Sequence, residues 1–173
     1  MKVKIKKLNP NAKIPTKVHD SDFCYDVYAI SKKRVAWRTW EYGLGFSCEI
    51  DRWLKAKSKD YFITFSNSME PIYNDTALNL PQIKISIDFR PRSSVWKTGM
   101  ILTNCVGTID ELYRGELKAV FYNINPFKRN YKVGERIGQI KLGFTIPIEF
   151  EEVEELDMDT ERGTGGFGST GNR

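Results

Sequence analysis

The sequence predicts an all-β fold, and three observations carry that expectation. Ile83, Ile85, Ile87 and Phe89 alternate strictly with Lys84, Ser86 and Asp88, the period-2 signature of a half-buried strand. Met100, Ile101 and Leu102 precede a Gly-containing segment that leads into the alternating Leu117, Ala119 and Phe121, so the two runs read as a β-hairpin. A helical pattern surfaces only once, in the short stretch D-R-W-L-K-A-K-S-K-D (51–60), with Trp53 and Leu54 as its apolar side. Many short strands with one short helix define the all-β class.

Size and composition agree with a single domain. The 173 residues suffice for a real core, and 40% hydrophobic with 28% charged residues is ordinary for a globular chain. No apolar run reaches the length of a membrane span. The start, M-K-V-K-I-K-K, alternates Lys with β-branched residues and lacks the apolar region of a signal peptide, so it is expected to be a first strand in a cytoplasmic protein. Cys24, Cys48 and Cys105 are widely spaced, form no C-x-x-C pair and have only His19 for company. That argues against zinc and for reduced thiols, in keeping with the cytoplasm. The run from Glu149 to Glu161 holds eight acids and no Lys or Arg, so the rest of the chain is more basic than its net +5 suggests. A basic body suits a polyphosphate ligand or a nucleic acid. Lys and Arg are scattered along the sequence, and nucleic acid rests on charge alone, which makes it the weaker partner.

The elements follow in order. Lys13 to His19, polar and containing Pro15, reads as a loop, and Phe23 to Ala29 alternates like a strand. Arg34 to Ile50, rich in aromatic and β-branched residues, reads as strand, turn, strand, with Trp37, Trp40 and Tyr42 expected in core or sheet-face packing. The strand ending at Phe89 delivers Arg92, Ser93 and Ser94, whose guanidinium fork and hydroxyls suit phosphate oxygens. Asp110 and Tyr113 fall in or beside the central turn, where taken alone they read as turn chemistry. Lys118 to Ile124 continues as a strand, Asn125 to Asn130 is a turn-rich connector, and Gly134 to Leu142 is a strand carrying Arg136 and Gln139. Ile146, Ile148 and Phe150 alternate around Pro147, which suggests an edge strand. The acidic run 149–161 is expected to be a solvated linker. Gly163-x-Gly165-x-x-Gly168 matches the spacing of a dinucleotide fingerprint, but no βαβ unit surrounds it. What remains is a flexible glycine-rich tail, with Arg162, Ser169 and Thr170 open to phosphate and Phe167 open to stacking.

Five of these segments stand in a telling order: Tyr25-Asp26-Val27-Tyr28-Ala29, Arg90-Pro91-Arg92-Ser93-Ser94, N-C-V-G-T-I-D-E-L-Y-R-G (104–115), G-E-R-I-G-Q (134–139), and R-G-T-G-G-F-G-S-T-G (162–171). Together they resemble the five motifs of the trimeric dUTPase family. The resemblance implies a distorted jelly-roll β-barrel, a homotrimer with sites at subunit interfaces, Mg²⁺ as cofactor, and hydrolysis of dUTP to dUMP and pyrophosphate. It assigns Asp110 to the water that attacks the α-phosphorus, and Asp26 to a water around the substrate-bound Mg²⁺. Arg92, Ser93 and Ser94 would face phosphates, joined by Arg136, Gln139, Arg162, Gly168 and Ser169. Asn104, Gly107, Thr108 and Ile109 would offer backbone groups to the uracil edge, with Tyr113 under the deoxyribose, Lys118 also at the substrate, and Phe167 stacked on the base. On this reading residues 1–161 form one domain with an insertion at about 51–82, and 162–173 form a mobile motif. Cys24 stands where the family has Gly, a departure that bears on the local backbone.

Two rivals share the fold. A dCTP deaminase needs a Glu immediately before the Phe121-Tyr122-Asn123 run, and Val120 stands there, which cannot move protons. A catalytically idle binding or regulatory module draws some support from the insertion and the acidic linker. Against it, Asp110, Tyr113, Arg162 and Phe167 are all in place in their motifs.

Overall fold

Alternation along the chain becomes ten strands, with nothing helical beyond one 3-10 turn among the described residues. The computed structural model describes residues 2–50, 84–157 and 159–160. The expected helix at 51–60, the rest of the insertion, and Arg162, Phe167, Gly168 and Ser169 lie outside the described residues.

Strands β2 (Tyr25–Tyr28), β10 (Arg136–Thr145), β6 (Lys84–Pro91) and β8 (Gly107–Ile109) form one four-stranded sheet in that spatial order. Strands β3 (Ser31–Ala36), β4 (Thr39–Gly43), β9 (Lys118–Asn123) and β7 (Met100–Leu102) form a second. β1 (Val3–Lys7) pairs with β5 (Phe46–Ile50) beside them, and every pairing is antiparallel. The strict alternation in β6 does what it predicts: Ile85, Ile87 and Phe89 are buried, whereas Ser86 and Asp88 are only partly covered on the opposite face. Phe121 is fully buried among aromatic neighbours, edge-on to Tyr42, Phe89 and Tyr131 at centroid distances of 5.9, 6.2 and 5.4 Å. Such edge-to-face contacts add stabilisation beyond the area they bury. Gly138 makes room for this packing, because a Cβ there would lie 2.2 Å from the Phe89 ring.

The structure departs from the sequence expectation at four places. The segment 104–115 is not a plain hairpin turn: β7 pairs with β9, but the connection between them sends β8 across to the other sheet, against β6. Arg34 to Ile50 contains parts of three strands, because the chain reverses at Arg38 (φ 54°) and again at Gly45 (φ 73°). Trp40 and Tyr42 pack inward as expected, but Trp37 sits at the first reversal and is 74% exposed. Thr16, expected in a loop, forms a β-bridge with Asp26. Finally, no strand forms around Pro147: β10 ends at Thr145, and Ile146, Ile148 and Phe150 lie exposed beyond it. Pro147 has no N–H for a ladder, and no strand among the described residues is paired with this segment.

Candidate functional site

The predicted site residues assemble into two separate cavities. The first, of about 290 Å³, is lined by Cys24, Asp26, Arg92, Ser93, Arg136 and Gln139, with Val18, Asp22 and Phe23 at its lip. Three strands bring these together. Asp26 in β2 stands opposite Gln139 in β10, and β10 in turn pairs with β6, which hands the chain to Arg92 and the 3-10 turn Ser93–Lys97. The Thr98 hydroxyl donates to the Val95 carbonyl at 2.7 Å and closes that turn.

Charge in this cavity is organised around one carboxylate. Arg136 Nη1 donates to Asp26 Oδ2 at 2.9 Å, and Arg92 Nε lies 3.4 Å from Asp26 Oδ1. Two guanidiniums facing one carboxylate keep N–H groups that these contacts do not use and that suit phosphate oxygens, while Asp22 at the lip brings the lining to formal neutrality. Cys24 lines the same cavity, and its backbone does not call for glycine: among the described residues Arg38 is the one non-glycine with positive φ. The thiol therefore replaces glycine at this position without left-handed strain.

The second cavity, of about 200 Å³, is lined by Thr108, Ile109, Asp110, Tyr113, Glu116, Leu117 and Lys118. Its wall is a tight turn. Tyr113 N donates to the Asp110 carbonyl at 3.0 Å, and the Tyr113 hydroxyl donates to the Glu116 carbonyl at 3.2 Å. The ring folds back over Gly115, where a Cβ would lie 2.3 Å from the phenolic oxygen. Asp110 is exposed at the start of this turn, so its carboxylate is open to solvent and ligand. Lys118 bonds Glu41 Oε1 at 3.1 Å, and that hydrogen bond and charge hold its ammonium above the usual lysine range. Asn104 borders Gly107. Ser94, Asn104 and Gly107 line neither cavity.

Sequence reasoning missed Glu116 and the lip residues Val18, Asp22 and Phe23. Glu116 directly follows the Y-R-G run, and its carboxylate accepts from Gly45 N at 2.9 Å, a contact between distant segments that no local pattern announces.

The two cavities lie at opposite ends of β6. Ile109 pairs with Ile87, the fourth residue of that strand, and Asp110 continues toward its start, whereas Arg92 lies beyond the other end. Along an eight-residue strand at about 3.3 Å per residue, this separates Asp110 from Arg92 by on the order of 20 Å. No ligand phosphorus can touch both groups of one chain.

Among the described residues no cluster of three or more His, Cys, Asp or Glu could cage a metal ion. Asp26 nonetheless offers one carboxylate beside a phosphate-suited cavity. That donor set fits a hard cation held mainly by phosphate and water.

Comparison with known proteins bears on the whole arrangement. The family model described as dUTPase matches residues 54–171. A deoxyuridine 5'-triphosphate nucleotidohydrolase of Fusobacterium nucleatum is 49% identical over 86 residues, which is 49% of this chain and 58% of that protein. The chain thus spans less than two thirds of that relative's length. The Helicobacter pylori (strain ATCC 700392 / 26695) protein of the same name is 30% identical over 172 residues, covering 99% of this chain and 97% of its own. Among solved structures, a dUTPase of Staphylococcus bacteriophage 80alpha with dUPNHPP superposes with a TM-score of 0.67 at 21% identity, covering 99% of both chains. That likeness shows the all-β jelly-roll-type fold. Among the described residues no helix is long and apolar enough to cross a membrane.

Proposed function

This chain belongs to the dUTPase family, and from that premise we propose that it hydrolyses dUTP to dUMP and pyrophosphate at sites shared between subunits. The observation that carries the reading is the separation of the cavities. One holds a carboxylate beside a tyrosine ring, the other an arginine pair, and they open at opposite ends of β6. A second copy of the chain is needed to bring Asp110 of one subunit to the arginines of another. The separation calls for an oligomer, and the motif resemblance to the trimeric dUTPases makes it a homotrimer. Ile146, Ile148, Phe150, Val153 and Leu156, all exposed beyond β10, supply apolar surface that a neighbouring subunit would cover.

In this assembly Asp110 orients the attacking water and takes up its proton, the carboxylate role that such chemistry requires. Arg92, Ser93, Ser94, Arg136 and Gln139 bind and position the phosphates. Mg²⁺, when bound, would neutralise phosphate charge, with Asp26 beside it through water. Backbone groups from Asn104 to Ile109 match the uracil edge, and Lys118 lines the cavity with Thr108 and Ile109. Tyr113 presents its ring to the deoxyribose. A ribose 2′-hydroxyl pressed on that ring would lose its water partners at a cost of about 1–3 kcal/mol, which favours deoxynucleotides. Arg162, Phe167, Gly168 and Ser169 complete the site from the glycine-rich segment 162–173.

Pyrophosphate release from each deoxynucleoside triphosphate, with and without Mg²⁺, tests the reading. Release confined to dUTP and dependent on Mg²⁺ is expected. Equal release from all four substrates, or none from dUTP by a trimer of correct mass, removes it.

A further inference from the structure

The sequence scatters its cations, but the fold gathers some of them. Segments 34–40, 93–99 and 123–130 contain five Lys and Arg and no Asp or Glu. Three contacts bring these segments to one end of the second sheet. Asn123 N donates to the Arg38 carbonyl at 2.8 Å, Ile124 N to the Gly99 carbonyl at 2.7 Å, and Lys128 Nζ to the Trp96 carbonyl at 3.2 Å. The same end carries large exposed rings: Trp37, Trp96 and Phe127 are 74%, 69% and 96% exposed.

Rings and cations here are interleaved. The Arg34 guanidinium lies 5.6 Å from the Trp37 ring centre, Lys97 Nζ lies 5.6 Å from that of Trp96, and Arg38 lies 5.5 Å from that of Tyr122. Nε and Nη2 of Arg38 are buried without a hydrogen-bond acceptor, so this cation contributes through its charge. Trp37, Trp96, Phe127, Lys97 and Lys128 line neither cavity of the proposed active site. An exposed aromatic set of this size is unusual on a surface that binds nothing.

We propose that this end of the fold binds single-stranded nucleic acid. Ring faces take the stacked bases of a single strand regardless of sequence, and cations set among them follow the phosphate backbone. In a duplex the bases are already stacked on one another and offer the exposed rings no open faces, so paired nucleic acid is the poorer fit. A second copy is a poor fit also: Glu135 pairs with Arg129, but Arg34, Arg38, Lys97 and Lys128 leave the face net positive, and two such faces would repel across a self-complementary contact.

Fluorescence anisotropy of a long labelled oligothymidylate with the full-length protein tests this. Binding should weaken steeply as salt rises. The double variant Trp37→Ala/Phe127→Ala should bind about tenfold more weakly or worse, since each stacked base contributes on the order of a tenfold factor. Its oligomeric mass and dUTP hydrolysis should match the wild type. In the wild type, oligothymidylate should also quench tryptophan fluorescence, a readout that stands even if the variant does not fold. Absence of binding, binding without quenching, undiminished binding by the folded variant, or equally ring-dependent binding of polyglutamate would each overturn the proposal. So would a change in oligomeric mass on losing the rings, which would make this end an interface between copies.

Discussion

Arg136 Nη1 donates to Asp26 Oδ2 at 2.9 Å, and the other oxygen of the same carboxylate faces Arg92 at 3.4 Å. In the free chain, then, the groups suited to phosphate are held by a resident anion. Neutralising it should expose both guanidiniums. Asp26→Asn is expected to bind metal-free pyrophosphate about tenfold more tightly, because opposite charges at this range in a partly covered cavity interact by more than 1 kcal/mol. Asp26→Glu should behave like the wild type. Calorimetric titration decides, and weaker binding by the Asn variant would make Asp26 a scaffold for the arginines instead.

Asp110→Asn keeps the shape of the side chain and loses its basicity. Turnover of dUTP should fall by roughly 10²–10⁴, while the dissociation constant of a non-hydrolysable dUTP analogue changes little. Paired kinetic and binding measurements check this, and wild-type turnover in the variant would take Asp110 out of the reaction.

Gly115→Ala would place a methyl group 2.3 Å from the Tyr113 hydroxyl, so the ring must leave its seat over the turn. The expected result is a folded protein with a markedly raised KM for dUTP. Tyr113→Phe, which loses only the bond to the Glu116 carbonyl, should show a smaller rise. Steady-state kinetics on the two variants would show whether the ring's position or its hydroxyl matters more.

Shared sites predict complementation. Arg92→Ala and Asp110→Asn should each be nearly inactive alone. Unfolded together and reassembled, they should regain activity in mixed trimers, where some sites draw Asp110 and Arg92 from intact partners. Mixed trimers confirmed by mass but devoid of activity would place both residues in one subunit's own site.

The core makes a prediction about alkali. Burial pushes the Tyr42, Tyr131 and Cys48 pKa values up, so the folded chain holds these protons after the unfolded chain has released them. The stability they contribute is complete below the ordinary values, about 8.5 for Cys and 10 for Tyr, and is lost as pH rises toward the folded ones. Tyr131 adds a second penalty, since its buried hydroxyl lies near Thr98 without a hydrogen bond of good geometry. Tyr131→Phe should stabilise the fold by about 1 kcal/mol at neutral pH and soften the alkaline loss. Thermal melts from neutral pH to pH 11 would check both effects.

Much of this was legible in the sequence because period-2 alternation is local. Ile85, Ile87 and Phe89 announce β6, and Arg92 and Ser93 follow from its end. The order of the five motifs along the chain itself points to the family. What alternation could not reveal was partnership across the fold. Nothing around Gly107 says that β8 leaves its own hairpin to pair with β6, and nothing near Trp37 says that its hairpin tip meets the Asn123 strand end. Ile146, Ile148 and Phe150 show the converse failure. Their spacing reads as a strand, but a strand needs a neighbour for its N–H groups, and within the described chain they have none.

The placement of the two cavities at opposite ends of β6 has a hereditary consequence. On the split-site proposal each copy lends its carboxylate end to one site and its arginine end to another. A copy with a damaged β6, for instance through Ile87→Asn in the core, would spoil both contributions at once. Co-expressed with normal copies, it would impair two sites for every faulty subunit that still assembles. Such an allele should be dominant over the wild type, whereas one that prevents folding outright should be recessive.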